Sequence, residues 1–156
     1  RNFQLVCTGL QNDGRDPKYF SKLLKLLKKL NLEKDVIFTG HIPKLDQISL
    51  LKMSLALIQP TLFEGGPGGG ASYDAISLGH RIIISDIPVN CEIEKSSNVS
   101  FFKKLSVDDL TNKLLNIINS KFLRDNNNIL LELSRKRMIN CGMKLLSIAE
   151  EVVNKR

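Results

Sequence analysis

The chain has 156 residues, 42% of them hydrophobic and 25% charged, the composition of an ordinary globular domain. No apolar run approaches the ~18–20 residues of a membrane-spanning helix, and Arg1-Asn2-Phe3 leads into strand-like sequence with no leader signature. The net charge of +7 admits nucleic acid, an anionic membrane face or an anionic small substrate as partner, with a lysine-rich solvated helix face as the plain alternative.

Phe3 and Leu5-Val6-Cys7 read as a first strand ending at Thr8-Gly9. A polar loop, Gln11 to Arg15, follows. Asp16-Pro17 reads as the N-cap and first position of a helix. Phe20, Leu23, Leu24, Leu27 and Leu30 form its apolar face. Lys18, Lys22, Lys25, Lys28 and Lys29 fall mainly off that face, without the spaced aromatics that stack bases, so no nucleic-acid partner is expected. Val36-Ile37-Phe38-Thr39 reads as a second strand, closed by Gly40, with His41 beyond its end. A short helix from Leu45 to Met53 turns Ile48, Leu51 and Leu45 inward, and Leu55 to Ile58 is a third strand.

That strand delivers Gln59-Pro60-Thr61-Leu62-Phe63-Glu64 and then five glycines in six positions, Gly65 to Gly70. Ordering them costs about 0.4–1 kcal/mol each relative to alanine, a large share of the ~5–15 kcal/mol that holds a domain together. A plain connector has no need of so many; a merely flexible turn is the alternative. A helix from Ala71 to Leu78 follows, with Gly79 as its C-cap. Strand, glycine turn and helix together aim backbone N–H groups at an anion. Arg81 to Ser85 reads as a fourth strand, Asp86 to Asn90 as a turn, and Val99 to Phe102 as a fifth strand. Val107 to Asn119 reads as a helix with Asp108 and Asp109 in its first turn. Asn126-Asn127-Asn128 marks a break, and Ile129 to Val153 is helical, in one piece or in two around Cys141-Gly142.

Strands alternating with helices make this an α/β chain: a single domain with a Rossmann-like, mainly parallel sheet flanked by helices. Ligands of such sheets bind beyond the carboxyl ends of the strands, where Gly9, Gly40-His41, Glu64 to Gly70 and Asp86 fall. The three cysteines, Cys7, Cys91 and Cys141, form no CxxC pair and have no metal-ligand spacing. Each reads as a small packing residue in a reducing, cytoplasmic setting.

Four stretches together carry a resemblance: Val36-Ile37-Phe38-Thr39-Gly40, Gln59-Pro60-Thr61-Leu62-Phe63-Glu64-Gly65, Asp74-Ala75-Ile76-Ser77-Leu78-Gly79 and Ile82-Ile83-Ile84-Ser85-Asp86-Ile87-Pro88. They resemble the nucleotide-sugar-binding C-terminal domain of GT-B retaining glycosyltransferases, the glycogen-synthase-like family four. The resemblance implies a hexosyltransferase-like enzyme that binds a nucleoside diphosphate sugar. Its acceptor would be a saccharide or lipid-linked glycan, in polysaccharide synthesis, with no cofactor and no metal. It implies that Glu64 lies near the donor sugar as the catalytic carboxylate. The backbone of Gly65, Gly66, Gly68, Gly69 and Gly70 would bind sugar hydroxyls and phosphate, with Gly9 also on the donor side. Asp74 would take the ribose hydroxyls, and His41 and Ile42 would lie against the base.

Two departures stand beside the match. Nine residues separate Glu64 from Asp74 where the family has seven, and Asp74 replaces a glutamate. A dipole-compensating first-turn acid is the alternative for Asp74, and a solvated loop acid the alternative for Glu64. The basic residues that neutralise the diphosphate in the family have no match before Phe3. The chain is therefore expected to be a donor-binding domain truncated at its N-terminal strand and helix, and inactive alone. Acceptor binding and membrane-surface association would then come through a missing N-terminal domain. A non-catalytic nucleotide or sugar-nucleotide binding module is the second reading. A dinucleotide enzyme fits less well, since no GxGxxG follows the first strand.

Overall fold

Two small parallel sheets, five α-helices and a short 3-10 helix make up the described secondary structure of the computed structural model, which describes residues 3–12, 14, 16–121 and 127–154. Asp13, Arg15 and Asn126, read above as parts of a loop and a break, lie outside the described residues. The chain divides into two compact units, one reaching to Leu50 and one beginning at Leu51.

In the first unit β1 (Leu5–Thr8) pairs in parallel with β2 (Val36–Gly40), Leu5 opposite Val36 and Thr8 opposite Gly40. The register shifts between Cys7 and Thr8. Gly9 and Gly40 both have positive φ, and the Gly9 N–H donates to the Gly40 carbonyl at 2.9 Å. Helix α1 (Tyr19–Lys29) begins two residues later than Asp16-Pro17 suggests. Asp16 caps a preceding turn instead: its Oδ1 accepts the Lys18 N–H at 3.1 Å and its carbonyl accepts the Tyr19 N–H at 2.9 Å. Of the apolar stripe, Leu27 is buried and Phe20 and Leu23 half-buried, while Leu24 and Leu30 are exposed. Phe20 meets Phe38 edge-on at 5.1 Å, the arrangement aromatic quadrupoles favour. Helix α2 (Lys44–Met53) leads out of this unit, and Leu45, expected inside, is exposed.

In the second unit β3 (Leu57–Gln59), β4 (Ile82–Ser85) and β5 (Val99–Phe102) form a parallel sheet in the order β3-β4-β5. The central strand is buried throughout its length. Alternation splits it between two cores. Ile82 and Ile84 pack with Ala75 and Ile93 on one side. Ile83 packs with Phe102 and Ile117 on the other. Each isoleucine so buried contributes about 1.5–3 kcal/mol. Ala75 comes from α3 (Gly69–Ser77) and Ile117 from α4 (Val107–Asn119), so helices cover both faces. Ser106 caps α4, its Oγ accepting the Asp109 N–H at 3.2 Å, while Asp109 Oδ2 accepts the Lys103 N–H at 2.7 Å.

Helix α5 (Asn127–Asn154) runs unbroken, with no interruption at Cys141-Gly142. Leu130 is buried against Gly79, where a Cβ would stand 2.7 Å from its Cδ2. Cys7 is half-buried, and burial pushes its thiol pKa up. Cys91 and Cys141 are exposed, contrary to their reading as packing residues, because the turn after β4 and the outer face of α5 leave them in solvent. Among the described residues no helix is long and apolar enough to cross a membrane.

Candidate functional site

The turn between β3 and α3 is fastened to the carboxyl end of β4 by a chain of buried and partly buried hydrogen bonds. The Gly68 N–H donates to Asn90 Oδ1 at 2.9 Å. Asn90 Nδ2 donates to the Ser85 carbonyl at 3.0 Å and lies 3.1 Å from Ser85 Oγ. The Ser85 hydroxyl in turn donates to the Thr61 carbonyl. Thr61 opens the turn and Gly68 closes it, so both ends are tied to the last residue of the central strand. Asn90 is fully buried, and its three bonds satisfy both ends of its amide.

Helix α3 starts at Gly69, two residues before the predicted Ala71, so Gly69 and Gly70 belong to its first turn. Gly68 is the N-cap at φ 66°, and Gly69 follows at φ 62°. Two successive left-handed residues are a conformation that glycine adopts without strain. A Cβ on Gly68 would also lie 2.7 Å from Ile93 Cδ1 and 2.7 Å from Ser72 Cβ. Among the described residues no side chain caps the helix. The Gly69 N–H donates to the Gly66 carbonyl at 3.3 Å, and the next N–H groups, which have no intrahelical acceptor, form with the macrodipole a place for negative charge. The fully buried Ser72 hydroxyl has no hydrogen-bond partner among the described residues, packed as it is against the Gly68 backbone.

Glu64 is half-buried at the entrance. Gln59, at the end of β3, donates from Nε2 to Glu64 Oε1 at 2.7 Å. The other oxygen lies over the start of α3, 3.1 Å from where a Gly69 Cβ would be. Glu64 is thus a positioned carboxylate beside the helix N-terminus, not the solvated loop acid of the alternative reading. The surroundings of Gly65, Gly66 and Gly70 differ: a Cβ at any of them would meet nothing within 4 Å, and none has positive φ.

Asp74 is half-buried in the second turn of α3. The first turn carries no acid, which removes the dipole-compensating alternative for Asp74: the helix begins earlier than its sequence suggests. Gly9, His41 and Ile42 belong to the first unit, at the carboxyl ends of β1 and β2. His41 is exposed, and the Ile42 carbonyl accepts from Gln47 Nε2 at 2.9 Å. Asp86 is engaged structurally, its Oδ1 accepting the Lys104 N–H at 2.7 Å. The structure therefore brings Glu64, Gly68 and Gly69 together with Gln59, Ser72, Ser85 and Asn90. The last four had no assigned role in the sequence, and nothing in a Pro-Val-Asn turn announces a fully buried asparagine. Among the described residues no group of three or more His, Cys, Asp or Glu is placed to hold a metal ion.

A family model described as glycosyl transferases group 1 matches residues 1–138. No curated protein matches the sequence. Among solved structures the chain is similar to sucrose-phosphate synthase from Thermosynechococcus elongatus, with a TM-score of 0.64 and 16% identity over 89% of this chain. The chain spans 39% of the length of that structure. At this identity the likeness concerns the fold, and the parallel, helix-flanked GT-B type of Rossmann-like architecture expected from the motifs is the one observed.

Proposed function

The chain belongs to the group 1 glycosyl transferases, and from that premise we propose that its second unit binds the diphosphate and sugar of a nucleoside diphosphate sugar. The observation that carries this reading is the uncapped α3 N-terminus with a fixed carboxylate beside it. A donor diphosphate accepts hydrogen bonds from the first-turn amides of α3 that follow Gly69. Charge that develops on it as the glycosidic bond breaks is stabilised there by dipoles already in place. Gly65 and Gly66 leave the turn's backbone open to the sugar. Glu64, held through Oε1 by Gln59, keeps Oε2 for a sugar hydroxyl and orients the donor. Asp74 takes the ribose hydroxyls, for which a carboxylate offers two acceptor oxygens. The whole protein then transfers the sugar, with retention of configuration, to a saccharide or lipid-linked acceptor. A binding module without catalysis is the second reading, favoured by the longer spacing between Glu64 and Asp74.

Calorimetric titration with UDP, GDP and ADP tests the site. One diphosphate is expected to bind preferentially, and Asp74→Ala to weaken it about tenfold or more, the loss of a charge-assisted hydrogen bond. Equal affinity in Asp74→Ala would remove Asp74 from the site. No binding by any of the three, with the chain folded, would overturn the donor reading for it. In the full gene product Glu64→Gln is expected to cut turnover about 100-fold, the scale of a lost preorganised electrostatic contact, with nucleotide affinity kept. Unchanged turnover there would remove Glu64 from the reaction, and absence of turnover in the unsubstituted full gene product would leave the binding-module reading standing.

A further inference from the structure

The lysine row of α1, in the first unit, serves neither the sheet nor the donor site. Between its caps, Lys18 and Leu30, the helix carries Lys22, Lys25, Lys28 and Lys29 and no acid. These four lysines and Lys18 are all exposed. Asp16 holds Lys22 at 2.8 Å. Among the described residues no carboxylate pairs with the other four lysines. The neighbouring acids, Asp16, Glu33 and Asp35, lie beyond the two ends of the helix.

The helical repeat sorts α1 into strips. Phe20, Leu23 and Leu27 form the covered strip, with Leu27 buried and Phe20 against Phe38. Lys18, Lys25 and Lys29 run along the opposite side. Between the two, Tyr19, Leu26 and Leu30 follow one another at seven and four residues and line one edge, beside Lys22 and Lys29. They are 59%, 50% and 53% exposed. That edge is about 17 Å long at 1.5 Å per residue. Lysines three and four positions apart repel one another, and a helix that faced only water would gain from acids set among them. An exposed apolar edge is also at odds with a purely aqueous surrounding. An anionic lipid surface answers both features: headgroups neutralise the lysines, the acyl boundary takes the leucines, and a tyrosine ring suits the level between. A nucleic acid answers the charge alone, since the leucines would stay in water and Tyr19 is the one exposed aromatic on the helix for stacking.

We propose that α1 docks on an anionic lipid bilayer. It lies along the surface with Lys18, Lys22, Lys25 and Lys29 on the headgroups and Tyr19, Leu26 and Leu30 pressed into the interface. The docking strip shares no residue with the glycine turn and does not depend on what that turn binds.

Co-sedimentation of the 156-residue chain with lipid vesicles tests this. Binding is expected to phosphatidylcholine vesicles holding about one third phosphatidylglycerol and not to phosphatidylcholine alone. It is expected to be lost at about 1 M salt, where the screening length falls to about 3 Å. Lys25→Gln combined with Lys29→Gln is expected to weaken it about 25-fold, at about fivefold per lysine, with the melting temperature unchanged. Lys103→Gln combined with Lys104→Gln removes the same charge from an exposed stretch after β5 and is expected to leave binding largely intact. Leu26→Ser is expected to weaken it about fivefold. No binding to the mixed vesicles at millimolar lipid, or equal binding to phosphatidylcholine alone, would overturn the proposal. So would equal losses from the two lysine pairs, or binding of duplex DNA in place of vesicles. Undiminished affinity in Leu26→Ser would overturn the insertion of the apolar edge.

Discussion

Gly65 and Gly66 stand only three residues ahead of Gly68 and Gly69, and the two pairs are glycine for different reasons. The later pair is left-handed, and Gly68 is closely surrounded, with Ile93 and Ser72 where a side chain would begin. The chain's own geometry accounts for them. The earlier pair has no positive φ, and nothing stands within 4 Å of an added Cβ. Nothing among the described residues demands glycine there, yet glycine lowers stability by enlarging the freedom of the unfolded chain. A residue that the fold does not need points outward, to what the turn must let approach.

Substitution separates the two causes. Gly68→Ala is expected to be the most damaging change, roughly 2–5 kcal/mol in chemical denaturation. About 1–2 kcal/mol comes from the left-handed backbone and about 1–3 kcal/mol from overpacking against Ser72 and Ile93. A cost under about 0.5 kcal/mol, the range of ordinary surface changes, would mean the close approach is not real. Asn90→Ala comes next, at roughly 2–4 kcal/mol, because the Gly68 N–H and the Ser85 carbonyl lose their buried partner. It should also loosen the turn, and weaker diphosphate binding at temperatures where the variant is still folded would sharpen the contrast. Gly66→Ala has the smallest effect on stability, neutral or a gain of up to about 0.4–1 kcal/mol. It is nonetheless expected to weaken binding of the nucleoside diphosphate sugar about tenfold, more than that of the diphosphate alone. If Gly66→Ala destabilised the chain as much as Gly68→Ala does, the distinction between the pairs would collapse.

The regular parts of this fold were legible because local chemistry and tertiary packing agree there. The β-branched and aromatic run Val99–Phe102 is a strand, and the periodic Val107–Asn119 a helix, with the boundaries their patterns predict. Disagreement arose where tertiary contacts took over. Alanine and leucine drew the expected start of α3 to Ala71, yet the helix starts inside the glycines, because Gly68 is held by an asparagine from a distant turn. Asp16 looked like a helix cap and caps a separate turn. Two leucines of the α1 stripe are in solvent, since periodicity marks a face and not how much of it is covered. At the site, Glu64 and the glycines could be read from residue type and spacing. Gln59 and Asn90 could not, because their importance lies in what they hold and not in what they are.

Every ladder observed is parallel, and no hairpin can close a parallel pair. Each strand must wait for its neighbour until the chain between them has folded back. Ile82 meets Val99, Leu57 meets Ile82, and Leu5 meets Val36. Loop-closure entropy rises with the length of chain between partners, so the β4–β5 pair is the least costly to nucleate. Since β4 also seeds both cores of the second unit, a folding nucleus centred on Ile82 to Ile84 and Val99 to Phe102 is the expected route. On a ribosome β3 would emerge before β4 and wait, unpaired, for it.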